Sequence, residues 1–398
     1  MQVRQLGRTR HEKWNYKSDD YMKKHETTPP FFTSLMDMVE ALRRPLISGE
    51  VRRLADMFVS AGSSGRRYLF GRNEHSSALA RVLEIDGFVD DFASEDLWLG
   101  KPVIKGENLP RNAIVVNCVL MARTIICSNK VRDLRVEGSL EYADLMQAFP
   151  DIIPAPVFVD ETRADFQLNS SKWATLSNAL ADEESKQVLE DVLKFRLSAD
   201  IIYMQDYTFR PEEQYFEEFL KMPPDSVFVD AGGFDGDTTE GFCLRHSDYK
   251  KVFLFEPSDN NLQKAKARLE NFHNINFIEK GVSDQPGSLA FDPESGSASS
   301  VSETGSSTIR MTKLDAAVQE KVTFIKMDLE GWELKALKGA EKHIREDYPR
   351  LAIAVYHHPS HFWQVLEQVC ALQPDYRVFL RHYTEGWTET VMFFVPHR

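Results

Sequence analysis

Residues 227–239 read VFVDAGGFDGDTT: a short apolar run, a turn containing Gly232, Gly233 and Gly236, and a polar helix start at Asp237-Thr238-Thr239. Glycine permits positive φ and lets a ligand approach the main chain, so a strand, glycine turn and helix in this order open a ligand-binding α/β unit. The pattern continues regularly along the chain. Strands are expected at 252–257, 275–282, 322–328 and 350–357, with helices at 258–272, 332–347 and 360–372 between them. Alternating elements with near-continuous apolar strands predict a parallel, doubly wound sheet covered on both faces. Two further strands, 376–383 and 389–396, are separated by a turn short enough for an antiparallel hairpin at one edge.

Charge around the turn selects the ligand. Asp230, Asp235 and Asp237 crowd the place where a dinucleotide would put its pyrophosphate, and the turn itself carries no Lys or Arg. Carboxylates in a partly buried cleft repel a diphosphate. They suit S-adenosylmethionine, whose ammonium Asp230 or a neighbouring carboxylate can hold. Its own carboxylate is expected on amides of the turn and helix start, which places Gly232, Gly233, Asp235 and Thr238 in the cofactor site. Glu256, closing the second strand, is in position to accept both ribose hydroxyls. The loop after the third strand offers Val282 to the adenine face, Ser283 beside it and Asp284 to the exocyclic amine; a plain turn into Gln285-Pro286-Gly287 fits these residues equally well.

Parallel strands present ligands at their carboxyl ends where strand order reverses, between the first and fourth strands. Asp328 and Glu330, from Asp328-Leu329-Glu330-Gly331, are expected to face the transferred methyl there. DLEG is unlike the NPPY or DPPY tetrads that grip a base amino group, so nucleobase N-methylation is disfavoured. His357, after the fifth strand, supplies an imidazole suited to proton acceptance. Asp328 and His357 are thus candidate bases, with Glu330 orienting the acceptor. A helix-capping role for Asp328 is the rival reading. His357, His358 and His361 invite a metal, and Asp328, Glu330 and His357 could supply a divalent site. No ligand spacing requires one, and no metal is assigned.

Together these residues resemble the FkbM family of S-adenosylmethionine-dependent O-methyltransferases. The resemblance rests on PEEQYF (211–216), VFVDAGGFDGDTT, FLFEPS (253–258), the Ser-rich SASSVSETGSST (297–308) with TIRMTKLD after it, and FIKMDLEGWELKALKGA (324–340). It covers about the C-terminal half and implies a Rossmann-like methyltransferase fold, S-adenosylmethionine as cofactor and a hydroxyl on a small molecule or sugar as acceptor. It also implies a cofactor role for Gln214 and Tyr215, in a stretch that otherwise reads as an amphipathic helix with Pro211 at its first turn. The Ser-rich stretch 293–308, inside the catalytic unit, is expected to act as a lid. Tyr356, Phe362 and Trp363 are candidate sugar-stacking rings, although core packing is the commoner fate of such rings.

The remaining sequence predicts an N-terminal arm and helices over 1–60, with a break at Pro45. A smaller Rossmann-like α/β unit follows over 61–160, then a helical connector over 161–222, and the methyltransferase unit occupies 223–398. The smaller unit begins RRYLFG (66–71) and has only Gly71 where a dinucleotide fingerprint wants three glycines, so an accessory role is expected over nucleotide binding. A non-catalytic or nucleotide-sugar-binding Rossmann protein is the alternative for the whole chain. The 398 residues carry 48 Lys+Arg against 61 Asp+Glu, a net charge of −13, which argues against a nucleic-acid partner. There is no apolar run long enough for a membrane span and no apolar signal-like N-terminus. Cys118, Cys127, Cys243 and Cys370 are widely spaced and read as reduced thiols of a cytoplasmic protein.

Overall fold

A computed structural model describes residues 47–60, 66–291 and 307–397. The expected helix break at Pro45 and nearly all of the expected lid lie outside the described residues. The strands are β1 (Arg66–Phe70), β2 (Gly87–Val89), β3 (Leu97–Trp98), β4 (Lys101–Ile104), β5 (Ala113–Asn117), β6 (Gly138–Glu141), β7 (Val227–Ala231), β8 (Lys251–Phe255), β9 (Ile275–Ile278), β10 (Gly281–Val282), β11 (Gly287–Phe291), β12 (Ser307–Thr312), β13 (Phe324–Met327), β14 (Arg350–Ala354), β15 (Tyr376–His382) and β16 (Thr390–Pro396).

The larger sheet has seven strands in the order β15-β16-β14-β13-β7-β8-β9. β7 pairs in parallel with both β8 and β13, so the order reverses there, beside the glycine turn. β16 runs antiparallel between β14 and β15, which is the edge hairpin expected from the sequence. The four-residue core of β13 and the whole of β7 are buried, as a strand covered on both faces requires. Phe228, Phe242 and Phe324 stack beneath the sheet with ring centroids 4.4 and 4.9 Å from Phe228.

Three local expectations change. The third strand stops at Ile278 instead of reaching Val282. The chain then joins a separate three-stranded sheet, β10-β12-β11. Gly281 permits that exit, because a Cβ there would stand 2.6 Å from Met311 Sδ. The helix expected over 332–347 is a short helix, Glu333–Gly339, followed by a π turn, His343–Asp347. The stretch 211–220 is not a continuous helix. Two 3₁₀ turns, Pro211–Glu213 and Glu218–Leu220, flank Gln214 and Tyr215, and Tyr215 has a φ of 73° that no helix accommodates.

The N-terminal sheet has six strands in the order β3-β4-β2-β1-β5-β6, parallel from β4 to β6. Gly71 follows β1 at a φ of 91°, and Asn73 caps the next helix, Glu74–Val82, accepting from the His75 and Ser76 amides. Helices Val157–Ala179 and Glu183–Ser198 connect the two sheets. Among the described residues no helix is long and apolar enough to cross a membrane. All four cysteines are free thiols.

Glu141, ending β6, is buried and accepts from Asn117 Nδ2 at 2.8 Å and Ser128 Oγ at 2.6 Å. Burial pushes its pKa up to about 7, against those two hydrogen bonds. A raised carboxyl stabilises the fold while protonated, and that contribution fades as pH rises towards the folded value. Buried His75 and His382 have the opposite sign: burial lowers them to about 4 and about 3, so their contribution fades as pH falls below the usual histidine range. The stability advantage of wild type over Glu141→Gln is therefore expected to shrink, by up to about 1.4 kcal/mol per pH unit, between about pH 5 and pH 7. Urea melts of both proteins across that range check it.

Candidate active site

The carboxyl ends of β7, β8, β13 and β14 converge on one cleft. On one side lies the glycine turn. Gly232 has a φ of 83° and a Cβ there would come within 2.0 Å of the Asp328 carbonyl oxygen, so only glycine lets the two loops touch. The Gly232 and Gly233 amides both donate to Phe255 O, at 3.0 and 2.9 Å, which folds the turn over the end of β8. Gly236, φ 87°, caps the helix Asp237–Arg245, whose first turn holds half-buried Thr238.

The acidity of this turn is largely neutralised by residues from elsewhere, which corrects the reading of an uncompensated carboxylate cluster. Lys326 stands opposite Asp230 in the β7–β13 register, its Nζ 3.1 Å from Asp230 Oδ1 and 2.6 Å from the Gly232 carbonyl. Thr239 Oγ1 donates to the other Asp230 oxygen at 2.8 Å, so both oxygens of this fully buried carboxylate face protein partners. Burial works against the charge of Lys326, but Asp230 and Asp328 outweigh it and hold its pKa above the usual lysine value. Arg268 likewise pairs with Asp235 at 2.6 Å. Sequence proximity showed no cation because both come from neighbouring elements.

Glu256, immediately past β8, is nearly buried and accepts from the amides of Phe234 at 3.0 Å and Ser258 at 2.8 Å. Burial raises its pKa, against those amide bonds. Val282 and Ser283 are buried at the far side, and Ser283 Oγ accepts from Trp332 Nε1 at 3.2 Å and donates to Asp284 Oδ1 at 3.1 Å.

Opposite stands Asp328. Its Oδ2 accepts from Tyr215 OH at 2.8 Å; its Oδ1 lies 3.4 Å from Tyr356 OH and 3.6 Å from His357 Nε2. Gln214 Nε2 donates to Tyr215 OH at 2.9 Å and to Glu389 Oε2 at 2.7 Å. The DLEG turn needs left-handed backbone at Glu330, φ 50°, and at Gly331, φ 92°. Its organiser is buried Glu333, whose Oε1 accepts from Leu329 N at 2.8 Å. His357 Nδ1 lies 3.1 Å from the same oxygen, and His361 Nδ1 lies 3.2 Å from Oε2. Burial favours neutral Glu333, yet the two imidazoles overcome it and hold its pKa well below the carboxylate range. Burial also opposes charge on His357, but Glu330, at 3.3 Å, and Glu333 raise its pKa well above normal. The charged form of His357 is thus favoured by the carboxylates on either side of it. Asp328, Glu333 and His357 each offer an atom within 4.8 Å of the others, the spacing of a divalent-ion site, although His357 already neutralises Glu333.

Residues 230–385 match the family model described as the methyltransferase FkbM domain. Over that stretch the chain is similar to FkbM methyltransferases. A crystal structure of Methyltransferase FkbM from Methylobacillus flagellatus KT is similar over 90% of this chain and 97% of its own, with 25% identity and a TM-score of 0.69. Its likeness therefore extends to the N-terminal sheet. An rRNA methylase from Streptococcus thermophilus shares 22% identity over 44% of this chain and 90% of its own, with a TM-score of 0.31. Aeropyrum pernix fibrillarin with natively bound S-adenosyl-L-methionine shares 13% over 45% and 70%, with a TM-score of 0.29. No curated protein matches the chain.

The structure brings two sets of sequence-derived residues to the carboxyl ends of the parallel strands. Gly232, Gly233 and Glu256 meet at the end of β8, while Gln214, Tyr215, Asp328, Glu330 and His357 are joined beyond β13 and β14; Asp235 is turned to Arg268 instead. Phe362 is fully buried against Trp173 and is closed to a sugar. Half-buried Trp363 donates its Nε1 to Asp165 at 3.1 Å. Sequence reasoning missed Lys326, Glu333 and Glu389. A basic residue in an otherwise apolar strand was a signal for Lys326; nothing local marked Glu389.

Proposed function

We propose that this protein is an S-adenosylmethionine-dependent O-methyltransferase acting in the cytoplasm on a hydroxyl of a small molecule or carbohydrate. The observation that carries the reading is the pairing of two carboxylates across the β7–β13 switch point. Glu256 stands at the end of β8 with its oxygens oriented by two amides, and Asp328 at the end of β13 is held by Tyr215. The glycine turn between them brings bare backbone to the cleft. These residues fit the adenosyl cofactor, which when bound supplies a methyl group activated by its sulfonium.

Glu256 accepts the ribose hydroxyls, and Val282, Ser283 and Asp284 border the adenine. Asp230 acts indirectly: with Lys326 and Thr239 it fixes the turn, and the methionine end meets the helix start at Thr238. Gln214 and Tyr215 set the position of Asp328. An attacking alcohol must lose a proton, and Asp328, a carboxylate beside a charged His357, is the acceptor the geometry favours. Glu330, the more exposed neighbour, orients the substrate. Positioning the hydroxyl in line and excluding water do most of the remaining work.

The test is incubation with methyl-labelled S-adenosylmethionine and a panel of sugars and hydroxylated small molecules. Label is expected in a methyl ether. Asp328→Asn is expected to lower the rate about 10²- to 10⁴-fold with product-cofactor binding retained. Label found only on nitrogen, or an undiminished rate in Asp328→Asn, would overturn the reading.

A further inference from the structure

Glu389 lies just before β16 in left-handed backbone, φ 64°, a conformation that a non-glycine residue keeps only where its surroundings enforce it. The surroundings here are specific. Tyr356 OH donates to Asp328 Oδ1 at 3.4 Å, and Tyr356 also favours the charged form of Glu389. A bridge runs from Glu389 through Gln214 Nε2 and Tyr215 OH to Asp328 Oδ2. The titratable groups facing Glu389 are thus Asp328 after β13, Tyr215 from the 211–220 stretch, and Tyr356 and His357 after β14. Burial, then the charge of Asp328, push Glu389 up to about 7, against Gln214, His357 and Tyr356.

The loop carrying Glu389 is gripped from outside the larger sheet. The turn after β5 accepts from it four times: Glu385 N on Ala122 O at 2.8 Å, Trp387 N on Leu120 O at 3.2 Å, and Thr388 N and Oγ1 on Met121 O at 3.3 and 3.0 Å. Glu385 Oε2 in return accepts from Ile126 N at 2.9 Å, at the start of the helix Thr124–Arg132. Buried Arg196 donates to Trp387 O at 2.9 Å and sits over its ring. Gly386 has no room for a side chain, since a Cβ would lie 2.1 Å from Met121 O. This turn follows a central strand of the N-terminal sheet, the edge where such a sheet takes its own ligand.

We propose that Glu389 is a positioning residue of the methyl-transfer site, set against Asp328 across Gln214 and Tyr215, and that the N-terminal sheet holds it there. The inference rests on the proposed methyl transfer and gives the N-terminal unit a task within it. Two carboxyl groups joined through Gln214 and Tyr215 resist joint ionisation, so the more enclosed Glu389 titrates nearer neutrality. Asp328 is left to take the acceptor proton as the oxygen–carbon bond forms and the carbon–sulfur bond breaks, its electron pair staying on sulfur. The ligand edge of the N-terminal sheet, covered by the 385–388 loop, serves as a clamp.

The test uses the full chain labelled with carboxyl-¹³C glutamate, with the Glu389 signal identified by its loss in Glu389→Gln. Glu389 is expected to titrate near neutrality, and its midpoint to fall by about one pH unit or more in Asp328→Asn. It should also fall in Gly386→Ala, and in the milder Glu385→Gln should the first variant not fold. An ordinary glutamate midpoint in wild type, or one unmoved by Asp328→Asn, overturns the carboxyl pairing. A midpoint unmoved by the loop variants overturns the clamp. Calorimetry with S-adenosylhomocysteine on the same wild-type sample separates the two ideas: absence of binding there contradicts the proposed function, whatever Glu389 does.

Discussion

Gly232→Ala is expected to lose about 3 to 5 kcal/mol of stability and all measurable adenosyl-cofactor binding. Two costs combine. A φ of 83° is strained for alanine, and the added Cβ would meet the Asp328 carbonyl at 2.0 Å, a backbone atom that cannot swing away. Relief requires the DLEG turn to retreat from the glycine turn, which opens the cleft and moves Asp328 with it. Lys326 would also lose the Gly232 carbonyl that fixes its Nζ, weakening its grip on Asp230. Urea denaturation read by circular dichroism measures the first effect and calorimetry the second. An alanine variant with wild-type stability would show that the two turns are not in contact.

Glu333→Gln is the second large change, expected to destabilise by about 3 to 5 kcal/mol. Glu333 is fully buried, and its two oxygens serve His357, His361 and the Leu329 amide. A neutral amide leaves buried His357 facing a group that cannot balance its charge, and takes from His361 the carboxylate oxygen it sits beside, so His357 gives up its proton or the turn opens. The sign follows from the depressed Glu333 carboxyl. Its contribution is present above the usual carboxylate range and disappears as pH falls through the lowered folded value. The difference between wild type and Glu333→Gln should accordingly shrink in strong acid. NMR of the His357 ring is expected to show its titration falling markedly in the variant, and an unmoved ring signal would refute the ion-pair account.

Much of this arrangement was legible before any coordinates. Near-continuous apolar runs alternating with helical stretches identified the strands of the larger sheet, and the short turn before β16 identified the edge hairpin. VFVDAGGFDGDTT and DLEGWELKALKGA marked both walls of the cleft because their glycines answer backbone demands: Gly232 and Gly331 take positive φ, and Gly339 lies where a Cβ would strike the Ser283 carbonyl at 2.0 Å. What failed to show was tertiary. The acidic turn looked uncompensated because Lys326 and Arg268 reach it only through strand register and helix packing. PEEQYFEEFL has helical composition, yet Tyr215 must point at Asp328, and that tertiary bond overrides the propensity. Glu389 carries no motif because a loop anchored on another sheet delivers it.

The most direct measurement of the central claim is a calorimetric titration of the full chain with S-adenosylhomocysteine, run in parallel on Glu256→Ala. One-to-one binding is expected for wild type. The variant should bind about 10²-fold more weakly, since it loses charge-assisted bonds to two hydroxyls. No binding to wild type, or equal affinity in Glu256→Ala, would contradict the assignment of this cleft as the cofactor site.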